Sequence, residues 1–279
     1  MQGNDRDTIF SIHGFNYSFR DAIFRTAELQ QWLGPVQRNW MLFTWPSDGS
    51  MEPIKAYMSD RLDAAASGPA MARGILKAAE FIHSLPRDER CQRRIHLIAH
   101  SMGNYVLRHA VQEMRRFVGS ALPRLFDQII LFAPDEDNDA LELDHKLAPL
   151  ERLGRRVTLY YNMQDVALWI SDITKTNPNR LGDTGPRNPS VLPGNFTLVN
   201  ASAAAAMDAG QDSTRHQYYR INPAVRDDIL AVLDGKDDLS IADSLKKRTW
   251  RPEGRYWRLE GAKPQRTHGP KARQRGRSR

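Results

Sequence analysis

Cysteine is nearly absent: Cys91 stands alone among 279 residues. One thiol closes no internal disulfide, so the fold rests on an apolar core, as is usual in a reducing compartment, and a cytoplasmic setting is expected. No apolar run reaches the ~18 residues needed to cross a bilayer. Met1 is followed by Gln-Gly-Asn-Asp-Arg-Asp in place of a charged and then apolar leader, so neither a transmembrane segment nor a secretory signal is expected. Large apolar residues also disappear late in the chain. Residues 261–279 contain no Val, Ile, Leu, Met, Phe, Trp or Tyr, have nothing to bury and are expected to be disordered.

What is present is a 41% hydrophobic chain, enough for one large core or two small ones, with 40 Lys and Arg against 33 Asp and Glu. The positive excess is confined to one end. Residues 246–279 hold 13 basic and two acidic residues, which leaves the first 245 with a net charge of -4. The expected organisation is a catalytic domain over 1–245 and a basic, largely disordered tail over 246–279. Weak electrostatic binding of a polyanion is a role open to the tail.

Strands and helices alternate along the sequence. Apolar runs at Thr8–Ile12, Trp40–Trp45, Arg94–Ala99, Gln128–Ala133, Val157–Tyr161 and Phe196–Val199 read as strands covered on both faces. Ser18 with Asp21 opens a helix after the first, and Asn222-Pro223 opens a closing helix that Gly235 stops. A long helical region covers Ile54 to Leu85, with an interruption expected at Gly68-Pro69, and Met102 to Phe117 is a further helix. Thr174 to Asn195 reads as a long loop. This alternation predicts a mostly parallel α/β sheet of about six strands flanked by helices.

The segment Ala99-His100-Ser101-Met102-Gly103 joins an apolar strand directly to a helix. That is the context of the G-x-S-x-G nucleophile elbow, in which a serine on a strained turn needs small neighbours two residues away on either side. Ala99 and Gly103 meet the requirement, although Ala99 replaces the strict glycine. The bland reading of Ser101 is a helix cap. The sharper one is a nucleophile whose developing oxyanion meets the Met102 amide at a helix N-terminus.

Together with His13-Gly14-Phe15-Asn16, Trp45-Pro46-Ser47, Ala133-Pro134-Asp135, Asp165-Val166-Ala167-Leu168 and His216-Gln217-Tyr218-Tyr219, this elbow resembles the α/β-hydrolase superfamily, in particular a bacterial branch of largely uncharacterised serine hydrolases. The resemblance spans residues 8–233. It implies an α/β-hydrolase fold and a Ser, Asp, His triad in that chain order, with no metal and no organic cofactor. Ser101 is then the nucleophile, and His216, in the loop after the last expected strand, is its base. Asp165 stands at the superfamily's usual acid position and is preferred over Asp135 and Asp137, one strand earlier. The oxyanion donors become the backbone amides of Phe15 and Met102, and Asn16, Tyr17 and Trp45 are expected to line the pocket.

The expected activity is that of an esterase or lipase-like serine hydrolase cleaving an acyl bond, foremost a carboxylic ester, of a small-molecule substrate. The sequence starts almost at the strand carrying the oxyanion loop, so the antiparallel strands that open many α/β-hydrolases are expected to be missing. The short connection between Ala133 and Arg155 leaves little room for a lid. The competing expectation keeps the fold without catalysis: a binding module whose basic tail attaches to nucleic acid or an acidic partner.

Overall fold

A computed structural model describes residues 6–34, 38–47, 53–86, 93–168, 179–207 and 210–261. Its strands are β1 (Asp7–Ile12), β2 (Arg38–Phe43), β3 (Ile95–His100), β4 (Phe126–Phe132), β5 (Gly154–Tyr161), β6 (Phe196–Asn200), β7 (Arg248–Arg251) and β8 (Tyr256–Leu259). They form one sheet in the order β2-β1-β3-β4-β5-β6-β8-β7. All neighbouring pairs are parallel except β7 with β8.

The apolar runs are continuous because both faces of the sheet are covered. Leu97, Ala99, Ile129, Leu131, Val157 and Leu159 point to one side and Ile98, Ile130, Phe132 and Tyr160 to the other, each buried among helices. The first side carries α2 (Pro53–Ser84) and α3 (Gly103–Val118), and the second carries α1 (Phe19–Trp32). Shorter helices follow: α4 (Leu150–Leu153), α5 (Leu181–Thr184), α6 (Ser202–Met207), α7 (Pro223–Leu233) and α8 (Asp238–Leu245). Helix α7 covers the second side beside α1. Ser18 closes a capping box with Asp21 at the start of α1, and Asn222 caps α7 through the amides of Ala224 and Val225. Among the described residues, no helix is long and apolar enough to cross a membrane.

Three expectations change. Helix α2 runs without a break through Gly68 and Pro69. A methyl group at Gly68 would stand 2.4 Å from His109 Cβ, so the glycine lets α2 lie against α3, and burial of Ala64, Met71, Ala72 and Ile75 holds the helix together across the proline. The sheet has eight strands in place of about six, and the two extra ones come from the segment read as tail. The boundary expected at residue 245 therefore does not mark the end of the sheet. Arg248 is buried in a two-pronged pair with Asp228 of α7, Nε at 2.5 Å and Nη2 at 2.6 Å, and its Nη1 meets Asp238 at 2.5 Å. Trp257 and Leu259 are buried beside it. A charge counted as part of a solvated tail is thus neutralised inside the domain. Within the expected loop 174–195, the described part contains α5 and a 3-10 turn at Pro189–Val191. Cys91 and residues 262–279 lie outside the described residues.

The strand order positions the site. The chain leaves β1 toward β2 on one side, then crosses back to β3 on the other, so the connections after β1 and β3 diverge. Such a switch point opens a crevice at the carboxyl ends of the two strands. His13-Gly14-Phe15 follows β1 there, and Ser101 follows β3.

Candidate active site

Ser101 has φ = +52°, a left-handed conformation rare for a residue with a side chain. Its surroundings fix it there. Its amide donates to the Phe132 carbonyl at 3.0 Å, and its own carbonyl accepts from the Asn104 amide, Asn104 Nδ2 and the Asp135 amide. The next small residue is required by contact: a Cβ on Gly103 would lie 2.6 Å from the His13 carbonyl oxygen. Ala99, with its extra methyl, is accommodated in the core beneath the turn.

The loop after β1 comes equally close. A Cβ on Gly14 would sit 3.0 Å from Ser101 Cβ, so this glycine brings the backbone of the loop against the serine. Among the described residues, neither the Phe15 nor the Met102 amide has a hydrogen-bond partner. The loop is braced from below. His13 Nδ1 contacts the Gly14 carbonyl at 2.9 Å while Nε2 accepts the Trp45 amide at 3.2 Å, a pattern that fixes a neutral Nδ1-H tautomer. The Trp45 ring stacks on His13 at 5.1 Å, and its Nε1 donates to the His13 carbonyl. Burial holds the His13 pKa below the ordinary imidazole value.

His216 and Asp165 meet at the same edge of the sheet, where the His216 ring lies 4.6 Å from that of His100, the residue before the serine. Imidazole Nδ1 lies 2.6 Å from Asp165 Oδ2, with both side chains buried. Asp165 Oδ1 accepts the amides of Ala167 and Leu168, which orients the carboxylate. Burial works to lower the His216 pKa, but the charge of Asp165 and its hydrogen bond more than offset this, so it stands above 6.5.

The model of a family described as "Alpha/beta hydrolase of unknown function (DUF900)" matches residues 1–233. The chain belongs to this family. No curated protein matches it. Among solved structures it is similar to phospholipase PlaB from Legionella pneumophila, at 12% identity and a TM-score of 0.44, over 86% of this chain and 62% of that one. The same phospholipase in complex with thio-NAD gives 12% identity and a TM-score of 0.34, over 88% and 65%. The chain thus spans less than two thirds of those proteins, and likeness at this level has no bearing on substrate. Strands β7 and β8 fall beyond the part that matches the alpha/beta-hydrolase family.

The rivals expected for the acid are engaged elsewhere in this family member. Asp137 pairs with Arg180 Nη1 at 2.7 Å and Lys146 Nζ at 2.8 Å. Asp135 is buried near the serine and accepts the Tyr57 hydroxyl at 2.7 Å, and its charge adds to those of Asp165 and Asp212 in raising the His216 pKa. Of the expected pocket residues, Trp45 is buried beneath the loop after β1, its indole committed to the His13 carbonyl. Asn16 is exposed with φ = +63°, and Tyr17 is half-buried 6.2 Å from the His13 ring.

Several contributors escape sequence reasoning. Asp60 of α2 accepts the Asn16 amide and the Ser47 hydroxyl, and Ser47 Oγ in turn accepts the Tyr17 amide, so the Trp-Pro-Ser segment and α2 together pin the loop. Asn162 donates to the Arg215 carbonyl at 2.7 Å and Thr214 accepts the Val166 amide at 2.9 Å, latching the His216 loop to the Asp165 loop. Asp212 receives the Gln217 amide at 2.6 Å. Each of these bonds joins positions far apart in sequence or has no distinctive local motif.

Proposed function

We propose that this protein is a serine hydrolase of esterase type that cleaves a carboxylic ester through an acyl-enzyme, within a catalytic domain that includes β7 and β8. The observations that carry the reading are the 2.6 Å His216–Asp165 contact, the packing of the His216 ring on His100 at 4.6 Å, and the φ of +52° at Ser101, the residue after it. Asp165 keeps the Nδ1 proton in place, which leaves Nε2 with a lone pair to take the Ser101 proton as Oγ attacks the carbonyl carbon. The oxyanion rests on the Phe15 and Met102 amides. As the intermediate collapses, the imidazolium returns its proton to the departing alcohol. Water then attacks the acyl carbon as His216 takes one of its protons, and collapse of the second intermediate breaks the acyl–Oγ bond as His216 returns that proton to Ser101, releasing the acid. Asn16 and Tyr17 are the pocket residues of this reading, and the near absence of cysteine supports a reducing, cytoplasmic setting for it.

A fluorophosphonate probe tests it directly. The wild-type chain is expected to be labelled and Ser101→Ala to remain unlabelled. Labelling that persists in Ser101→Ala refutes the assignment.

A further inference from the structure

Asp135 is a buried carboxylate that the proposed triad does not use. It follows β4 on a turn in which Ala133 has φ = +41°. The turn is set from two sides: the Ala133 amide donates to the Tyr160 carbonyl at 3.0 Å, and the Gly182 amide of α5 donates to the Pro134 carbonyl at 3.0 Å. A Cβ on Gly182 would stand 2.4 Å from the Ala133 carbonyl carbon, so α5 lies directly on the turn. From there the Asp135 amide donates to the Ser101 carbonyl at 3.3 Å, and the carboxylate accepts the Tyr57 hydroxyl at 2.7 Å.

Tyr57 carries the connection to the loop after β1. It is buried early in α2, and its ring meets the Phe15 ring edge-on at 5.6 Å. Asp60, three residues on and therefore on the same helix face, accepts the Asn16 amide at 3.4 Å. Phe15 is thus held through its ring by Tyr57 and through the next residue by Asp60. Arg61, one turn beyond Tyr57, lies over the Tyr105 ring at 3.7 Å. Burial works to lower the Arg61 pKa, and the charge of Asp135 is foremost among the influences that raise it above the ordinary guanidinium value. Asp135 therefore has both a hydroxyl donor and a nearby cation, which keep a buried carboxylate ionised.

We infer that Asp135 is a positioning residue which, with Tyr57, sets the spacing between the Met102 and Phe15 amides, the two donors of the oxyanion hole. The Ser101 carbonyl and the Met102 N–H belong to one planar peptide and point in opposite directions, so a bond that holds the carbonyl also aims the N–H. Tyr57 joins the holder of that peptide to Phe15. One bridge of buried groups therefore spans both donors, and donors already in place stabilise a developing charge without reorganisation. The role rests on the hydrolase reading above, since two amides need a fixed spacing only where an oxyanion forms between them.

The rate at which a fluorophosphonate probe labels Ser101 reads this role whatever the natural substrate. Tyr57→Phe keeps the ring against Phe15 and removes the hydroxyl bond. Its labelling rate is expected to fall about tenfold or more, with kcat for a p-nitrophenyl ester falling alike and KM little changed. Asp135→Ala should be slowed as much, and Asp135→Asn, which keeps an oxygen for the Tyr57 hydroxyl, should lose less. His216 is faced by the charges of Asp165, of Asp212 on its own loop and of Asp135, and by the neutral ring of His100 at the end of β3. Removing one of the three negative charges lowers its pKa, so the pH at which Asp135→Asn reaches half its plateau rate should move down. Wild-type labelling in Tyr57→Phe overturns the inference, as do equal losses in Asp135→Ala and Asp135→Asn or a half-plateau pH that stays in place. A wild-type chain that the probe leaves unlabelled fails the hydrolase reading itself, and the inference falls with it.

Discussion

Ser101 holds a backbone conformation that costs a residue with a side chain about 1–2 kcal/mol, and the bonds from Asn104, Asp135 and Phe132 around it keep it there. Beside it, the paired imidazole sets the pH dependence. In the proposed triad His216 serves as a base only when neutral, and Asp165 raises its pKa, so the acid limb of kcat/KM for a p-nitrophenyl ester is expected above pH 6.5. Asp165→Asn removes the strongest raising influence and leaves burial, the largest effect, opposed only by the weaker pull of Asp212 and Asp135. The limb should then move below 6.5 while kcat falls by about 10⁴-fold. Asp137→Asn should leave kcat near normal, because that carboxylate is occupied by Arg180 and Lys146. Normal kcat in Asp165→Asn would dismiss the proposed triad. Trp45→Phe tests the brace under the oxyanion loop: losing the Nε1 bond to the His13 carbonyl should lower kcat by up to about 10²-fold through a small displacement of the loop, with KM little changed.

Elements are held at their spacing by residues whose importance is only partly visible in one dimension. The strands, the elbow and the capping box of α1 were legible because their signals are local: an apolar run, a small-residue pattern, a serine three residues before an aspartate. The continuity of α2 was not, since Gly68-Pro69 is a stop signal unless a second helix lies against it. Gly68→Ala should push α2 off His109 and cost about 1–3 kcal/mol, read as a lower midpoint in urea. Strand β7 was hidden for a similar reason. Arg248 looks like a solvated cation until Asp228, twenty positions earlier, is seen to share its buried pocket. Arg248→Met leaves that carboxylate without its cation and should cost about 3–5 kcal/mol in the same measurement. The candidate site shows the same division: the strained turn at Ser101 and the pairing of Asp165 with His216 were readable by order and motif, whereas Asp60 and Asn162 act through bonds to distant loops.

At the scale of the molecule, β7 and β8 complete the sheet beside β6, so a chain stopped after Leu245 exposes the edge of β6 and strips the cover from Asp228. Such a truncation should aggregate or melt well below the full chain, whereas one stopped after Gly261 should melt at the same temperature, as differential scanning calorimetry would record. The parallel course of β1 and β8 has a practical side. Asp7 begins β1 at the amino edge and Leu259 ends β8 at the carboxyl edge, so the described chain enters and leaves on opposite sides of the sheet. An affinity handle or solid support attached ahead of Asp7 keeps its distance from Ser101. One attached directly after Gly261 leaves from the edge on which Ser101 sits.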